Sequence, residues 1–277
     1  MGWNSWDCYG TSVTEEEVLA NAAFMARHLL PFGWDTVVVD IQWYEPGARA
    51  GGYNDGAELE LDPYGRQLPA LNRFPSAASG LGFKPLADRI HGLGLKFGLH
   101  IMRGIPRQAV RDALPVEGTD ATADQVADTS SVCEWNTDNF GLDHGHPGAQ
   151  AYYDSQLRLF ASWGVDFIKA DDMLGPYFAE EIAAYRRAID RSGGTWSSAC
   201  RLAGLCPWHT LSICAPMLTC GGFRTTSGTA GRMWRRSLPG WHAGLPTSGP
   251  GAGRTRTCCR WGGSRCGPSG GLHGSRA

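Results

Sequence analysis

The hydrophobic positions of the first 192 residues form two kinds of pattern. Short apolar runs occur at DTVVVDIQW (35–43), KFGLHIM (96–102) and VDFIKADD (165–172), and a short aromatic segment opens the chain. Between them, apolar residues recur at helical spacing in residues 11–34, 83–95, 147–164 and 177–190. The runs predict buried strands and the segments between them predict amphipathic helices.

Helix-end signals support these predictions. Thr14 and Glu17 have the spacing of a capping box, in which each residue satisfies a backbone N–H of the first turn. Gly33 follows the first helical segment, and Pro147 and Gly164 bracket the third. Proline at a helix start and glycine just past its end are the residues that those positions favour.

The order strand–helix, repeated four times, predicts a parallel sheet covered by helices. Two layouts fit, an open doubly wound sheet and a (β/α)8 TIM barrel of which four βα units are recognisable. Long polar loops, about 45–75 and from the third strand to about residue 146, follow strands and gather at their carboxyl ends, where barrel enzymes build their sites. No glycine-rich phosphate loop follows a strand, which counts against a nucleotide-binding sheet.

Charge divides the chain in two. Residues 1–192 hold all 27 Asp and Glu and 15 of the 25 Lys and Arg, whereas residues 193–277 hold 10 Arg and no acidic residue. The second part also contains 7 of the 9 cysteines and 18 of the 38 glycines. A soluble domain normally mixes both signs of charge. We therefore expect two segments, 1–192 as half of a barrel and 193–277 as an irregular, poorly ordered Gly/Arg/Cys-rich tail.

Lys169 and Asp171 share a face at the end of the fourth strand, because alternate side chains of a strand point the same way. A nearby lysine favours the ionised carboxylate, which is the form a nucleophile requires. A structural ion pair at a strand end explains the same spacing. Asp172 points the other way, and we expect it to cap a helix or anchor a loop.

The other predicted strands also end in polar or aromatic residues. Trp6 follows the first, Asp40 ends the second, and His100 and Arg103 end the third. Taken singly, each is explained by packing. Together they predict a concave polar pocket, in which aromatic faces stack on sugar C–H surfaces and the polar groups bind hydroxyls.

The motifs MGWNSWDCYG, VVVDIQW and YYDSQLRLFASWGVDFIKADD resemble glycoside hydrolase family 27, the α-galactosidase family, over residues 1 to about 192. The resemblance implies a (β/α)8 barrel and a retaining exo-glycosidase that hydrolyses terminal α-D-galactosides. It implies that Asp171 is the nucleophile and that Lys169 binds a ring hydroxyl. It also implies that Trp6 forms the sugar platform and that Asp40 binds hydroxyls of the −1 sugar.

Two residues depart from the family pattern. The family usually has Asp-Asp-x-Trp at the second strand, a pair that holds O4 and O6 of galactose, whereas this chain has Asp40-Ile41. Apolar Ile41 cannot bind O6 and suits a sugar that lacks C6, such as L-arabinopyranose. His100 replaces a common tyrosine. The resemblance therefore leaves a β-L-arabinopyranosidase of the same family as an alternative.

The second catalytic carboxyl is missing. Retaining glycosidases need two carboxyl groups about 5–5.5 Å apart, and the family's acid/base Asp follows the sixth strand, but no acidic residue follows Asp190. DNA that encodes GFRTTSGTAGRMWR (222–235) can encode RISDDFWDRWEDVA, the family's acid/base region, one base out of frame. The proton donor's codon would straddle Thr225 and Thr226.

Two further tail segments hide family motifs at the same one-base offset and in the family's order: TWSSACRLA (195–203) can hide DVVLSLSPG, and TCCRWGGSRCG (257–267) can hide DMLPLGRIAVR. We infer a frameshift near Gly193, which the nucleotide sequence across codons 190–196 would reveal. The chain as given is then expected to be inactive.

A non-catalytic sugar-binding half-barrel is the other alternative. We expect no cofactor, and no metal, because the tail cysteines lack zinc-site spacing. A nucleic-acid-binding tail is disfavoured because its arginines are scattered and lysine is absent. No run of about 18 apolar residues predicts a membrane span. The absence of a signal segment predicts a cytoplasmic protein unless the amino terminus is clipped.

Overall fold

A computed structural model describes residues 1–50 and 52–196, together with the backbone of 201–202. The strands are β1 (Gly2–Asn4), β2 (Thr36–Val39), β3 (Lys96–Met102), β4 (Ile105–Pro106), β5 (Ala127–Val132), β6 (Asn139–Leu142), β7 (Phe167–Asp171) and β8 (Arg201–Leu202). The α-helices are α1 (Trp6–Tyr9), α2 (Glu15–His28), α3 (Lys84–Gly92), α4 (Arg107–Arg111), α5 (Ala123–Val126), α6 (Pro147–Ser162) and α7 (Ala179–Arg191), and 3-10 turns span Leu30–Phe32 and Pro75–Ala77.

The main sheet has five strands in the order β1-β2-β3-β7-β8, and every pair in it is parallel. Helices connect the strands, so the predicted βα order is confirmed. The sequence predicted four strands, and two-residue β8 adds a fifth beside β7. Apart from residues 193–196 and the backbone of 201–202, the prediction of an irregular tail falls outside the described residues.

A large aromatic cluster fills the space between the sheet and its helices. Trp43 is fully buried and makes edge-on contacts with Phe83, Phe160 and Trp163. Its indole Nε1 donates a hydrogen bond of 2.9 Å to the carbonyl oxygen of His100. Edge-to-face aromatic pairs contribute about 0.5–1.5 kcal/mol each beyond their buried area. This packing fixes the segment that follows β2 against the end of β3.

Most of the predicted helix ends are confirmed, but α2 ends at His28, and Gly33 follows the 3-10 turn Leu30–Phe32 instead of the α-helix. Thr14 and Glu17 form the reciprocal capping box at the start of α2. Helix α6 begins at Pro147, and Gly164 lies just past its end with a φ of +81°. In that left-handed region only glycine is free of steric cost.

The prediction of one long polar loop from the third strand to about residue 146 is wrong. This segment contains α4, α5 and a three-stranded antiparallel sheet of order β4-β6-β5. The pattern failed because β5, with the sequence ADTSSV, is mostly polar and has no buried residue. Gly104 permits the close approach of this sheet, because a Cβ there would lie 1.8 Å from the carbonyl oxygen of Phe140.

No helix within the described part of the chain is both long and apolar enough to cross a membrane.

Candidate functional site

Three parallel strands and the segments after them bring the predicted site residues together. In the register of the main sheet, His100 on β3 lies beside Lys169 on β7, and Met102 lies beside Asp171. Asp40 directly follows β2, and Trp6 follows β1. Because parallel strands end at the same edge, these side chains meet at the carboxyl end of the sheet.

Titratable side chains form a continuous series at this edge. Lys169 Nζ donates a hydrogen bond of 2.6 Å to Asp40 Oδ2. His100 Nε2 lies 4.0 Å from Asp40 Oδ1 and 3.1 Å from Asp171 Oδ2. The side chains of Asp40 and His100 are 2% and 1% exposed, whereas those of Lys169 and Asp171 are 23% and 22% exposed. Asp40 and His100 therefore form the buried part of the series, and Lys169 and Asp171 form the part that solvent can reach.

Hydrogen bonds from neighbouring residues fix Asp40 in place. Asn4 Nδ2 donates a bond of 2.6 Å to Asp40 Oδ2, and the Ile41 amide donates one of 2.8 Å to Oδ1. Asn4 Oδ1 also accepts a bond of 2.8 Å from the backbone N–H of Trp6. One asparagine thus links the aromatic residue to the carboxylate, a role that the sequence analysis missed.

Both carboxyl groups of this series are held in the ionised form. Burial acts to raise the pKa of Asp40, but His100 and Lys169 together hold that pKa below its ordinary value. Burial likewise opposes ionisation of Asp171, and its hydrogen bond to His100 and the amide N–H of Asp172 lower the pKa. Lys169, which the sequence analysis took as the partner of Asp171, pairs directly with Asp40 and lowers the pKa of Asp171 less than His100 does.

An apolar cluster adjoins the carboxylates. Ile41, Met102 and Cys133 are buried against one another, and the half-buried rings of Trp6 and Tyr53 pack on them. Burial raises the pKa of the Cys133 thiol to about 11, so the thiol is neutral near pH 7. Ile41 therefore presents a hydrocarbon surface in an apolar setting, next to Asp40.

The side chain of Arg103 makes none of the contacts that connect Asp40, His100, Lys169 and Asp171. Its guanidinium is 3% exposed, and Nε lies 2.8 Å from Asp172 Oδ2, although the two atoms lack hydrogen-bond alignment. Nη1 donates to Ser131 Oγ at 2.9 Å, and the guanidinium carbon lies 3.9 Å from the ring centroid of Phe178. These contacts hold Arg103 between β7 and the antiparallel sheet. Asp172 is the loop anchor that its position predicted.

Several further residues at this edge were missed. Tyr53 and Trp135 come from the two long polar segments, where no periodic pattern marks them.

Two buried acidic residues were also missed. Glu181 looks like the solvent-facing charge of an amphipathic helix, yet it is 4% exposed and accepts a hydrogen bond from Tyr153. Asp138 is 5% exposed, and burial raises its pKa although Tyr44 and two amides donate to it. Only long-range contacts reveal these residues.

Among the described residues, no three His, Cys, Asp or Glu side chains converge in a way that could hold a metal ion.

Comparison with known proteins identifies the family. No family model matches the chain. A variant of Abp, a glycoside hydrolase family 27 β-L-arabinopyranosidase from Geobacillus stearothermophilus solved with arabinose, is 56% identical with a TM-score of 0.76. That match covers 79% of this chain and 51% of the Abp chain. The chain carries a segment of glycoside hydrolase family 27.

The curated relatives that match this chain are α-galactosidases. The α-galactosidase of Cyamopsis tetragonoloba is 27% identical over 196 residues, which are 70% of this chain and 35% of that protein. The α-galactosidase of Coffea arabica is 27% identical over 173 residues, which are 62% of this chain and 32% of that protein. The chain thus spans about a third of these curated relatives, and its parallel sheet is part of the family 27 TIM barrel.

Proposed function

We propose that this family 27 segment belongs to a retaining exo-glycosidase whose −1 sugar binds at the Asp40–Asp171 edge. Asp171 is the nucleophile in this proposal. Its lowered pKa and its partial exposure support that role, because a nucleophilic carboxylate must be ionised and reachable. Lys169, Asp40 and Trp6 bind the sugar, and His100 holds the nucleophile.

The preferred sugar in our proposal is β-L-arabinopyranose, with terminal α-D-galactosides as the second candidate. The buried apolar cluster around Ile41 carries this preference, because a hydroxymethyl group placed there would lose its hydrogen bonds to water. The identity of 56% to a β-L-arabinopyranosidase supports the same choice. The names of the curated relatives, which are α-galactosidases, favour the galactoside.

We also propose that the chain lacks a general acid. Asp40 and Asp171 are both held ionised, so neither is suited to protonate a leaving group. No acidic residue follows Asp190, in line with an out-of-frame tail. The non-catalytic sugar-binding half-barrel is the form that this chain takes if Asp171 does not react.

Activated glycosides test the nucleophile without a general acid. With 2,4-dinitrophenyl β-L-arabinopyranoside, an Asp171 oxygen attacks the anomeric carbon, and the bond to dinitrophenolate breaks without proton transfer. The glycosyl ester should then persist, because no base activates water. Azide needs no base, and it should release the sugar as glycosyl azide and regenerate the carboxylate.

Mass spectrometry of the intact chain and its peptides measures the result. We expect one pentosyl group on the peptide that contains Asp171, faster labelling by the arabinopyranoside than by the dinitrophenyl α-D-galactoside, and no label in Asp171→Asn. Asp166→Asn, at the opposite end of β7, is the matched control and should label normally. A label on another side chain contradicts the proposal, and sugar binding without any label favours the non-catalytic alternative.

A further inference from the structure

Three aromatic rings form a series that leads outward from the candidate site. The rings of Trp6 and Tyr53 stack with centroids 5.4 Å apart and planes 17° apart. Tyr53 and Trp135 follow with centroids 5.2 Å apart at 45°. Trp6 follows β1, Tyr53 lies between β2 and β3, and Trp135 lies between β5 and β6, so separate parts of the chain converge to build this series.

The inner end of the series belongs to the carboxylate edge. Trp6 and Tyr53 both pack on the apolar cluster of Ile41, Met102 and Cys133. Burial and then the negative charges of Asp171 and Asp40 raise the pKa of Tyr53, so its phenol lies within the electrostatic reach of both carboxylates. Tyr53 is therefore part of the same edge of the sheet as Asp40 and Asp171.

The outer end of the series reaches solvent. Trp135 is 40% exposed, and Val132, three residues earlier, is 45% exposed. Cys133, between them in sequence, is buried in the cluster beside Ile41, so this exposed pair lies at the rim of the site. Exposed tryptophan surface costs free energy in water. The exposed ring of Trp135 is the outer member of the series that begins with Trp6, beside the carboxylates.

We propose that Trp135 and Val132, backed by Tyr53, form a platform for the group attached to the scissile bond, outside the −1 sugar. The ligand is a six-membered ring with an apolar face, either a pyranose or an aryl group. This inference rests on the proposed function, because the platform matters only if the sugar lies at the Asp40–Asp171 edge. An exposed aromatic face suits such a ring, since stacking buries apolar surface without demanding one hydroxyl pattern.

Binding measurements on the full chain separate the platform from the −1 site. The probes are L-arabinose, methyl β-L-arabinopyranoside, phenyl β-L-arabinopyranoside and a disaccharide with β-L-arabinopyranose at its non-reducing end. Calorimetry should show the phenyl glycoside and the disaccharide binding about 2- to 12-fold more tightly than the methyl glycoside, the gain expected for one stacked ring. A gain for only one of the two ring ligands identifies which ring the platform accepts.

Substitutions assign that gain to Trp135. Trp135→Ala should lower the affinity for the phenyl glycoside to that for the methyl glycoside, and Trp135→Phe should keep most of the gain. Phe32→Ala is the matched control, because Phe32 is 73% exposed just before β2, away from the carboxyl ends of the strands, and should change no affinity.

The outcomes distinguish the two proposals. Equal affinities for the methyl and both ring glycosides, or an undiminished gain in Trp135→Ala, overturns the platform and leaves the −1 site standing. Failure of every ligand to bind, with L-arabinose and an added D-galactose control included, overturns the proposed function and the platform with it.

Discussion

Asp171 and Asp172 are adjacent in sequence but have opposite environments. Asp171 faces the candidate site, is 22% exposed and has a lowered pKa. Asp172 faces the support network around Arg103, is 7% exposed and has a raised pKa, although a guanidinium lies 2.8 Å away. A cationic partner alone therefore does not decide the direction in which the pKa of a carboxyl group shifts.

The difference lies in what offsets burial. For Asp172, burial outweighs the interactions with Arg103, and the neighbouring charge of Asp171 also raises the pKa. For Asp171, the hydrogen bond and charge of His100, a backbone N–H and the charge of Lys169 together outweigh burial. Asp171 thus has two cationic neighbours, whereas Asp172 has one and also lies next to a carboxylate. Asp171 is therefore suited to a reaction with a ligand, whereas Asp172, with Arg103, holds the segments after β3 and β7 together.

Removing Arg103 should give the largest effect in the support network. Arg103→Met leaves Asp172 and Glu181 buried without their cation and frees the contacts to Ser131 and Phe178. Removing one partner of a buried pair costs about 3–5 kcal/mol, and we expect the free energy of unfolding in urea to fall by that amount.

Arg111→Met is the control for that experiment. Arg111 pairs with Glu58 and Asp112 at the surface, where its side chain is 57% exposed. The urea midpoint of this variant should stay essentially unchanged, since exposed ion pairs contribute little. Equal losses in both variants would show that the buried network is no more important than a surface pair.

Removing His100 tests the other side of the comparison. His100→Phe deletes the side-chain hydrogen bond to Asp171, so the pKa of Asp171 should rise by about one unit or more. The carboxylate is present above this pKa and is lost as pH falls through it, so the loss should begin at higher pH in the variant. A pH titration of the Asp171 side-chain carbon by NMR measures the shift.

His100→Gln is the matched variant for this titration. A glutamine amide can donate to Asp171 without carrying a charge, so it should restore part of the lowering. An unchanged pKa in His100→Phe would mean that Lys169 and the backbone N–H are sufficient.

The sequence predicts the main sheet well and the support network poorly. β3 is predicted at its observed bounds because KFGLHIM is an apolar run. The alternation along β7 places Lys169 and Asp171 on one face as predicted, whereas Asp172 lies beyond the strand with a φ of +57°. The alternation of side chains along one strand does not predict which residues of other strands lie beside them. The pairing of Lys169 with Asp40, 129 residues away, depends on the register of β2, β3 and β7. The burial of Arg103 depends on a polar sheet that has no hydrophobic alternation.

The pH dependence of Asp172→Asn and Asp171→Asn should have opposite signs, which is the finest test of the comparison. The pKa of Asp172 in the folded chain is raised above 3.8, so Asp172 ionises in the unfolded chain first as pH rises. Its contribution to stability is therefore greatest below pH 3.8 and declines as pH rises through the folded pKa. The cost of Asp172→Asn should therefore shrink as pH rises, to about 1 kcal/mol or less near neutrality.

Because the folded pKa of Asp171 is lowered, its contribution is present above 3.8 and is lost as pH falls through the folded pKa, so the cost of Asp171→Asn should grow with pH. Urea unfolding at a series of pH values measures both, and two costs that grow together with pH would mean that Arg103 and Asp172 form an ordinary stabilising ion pair.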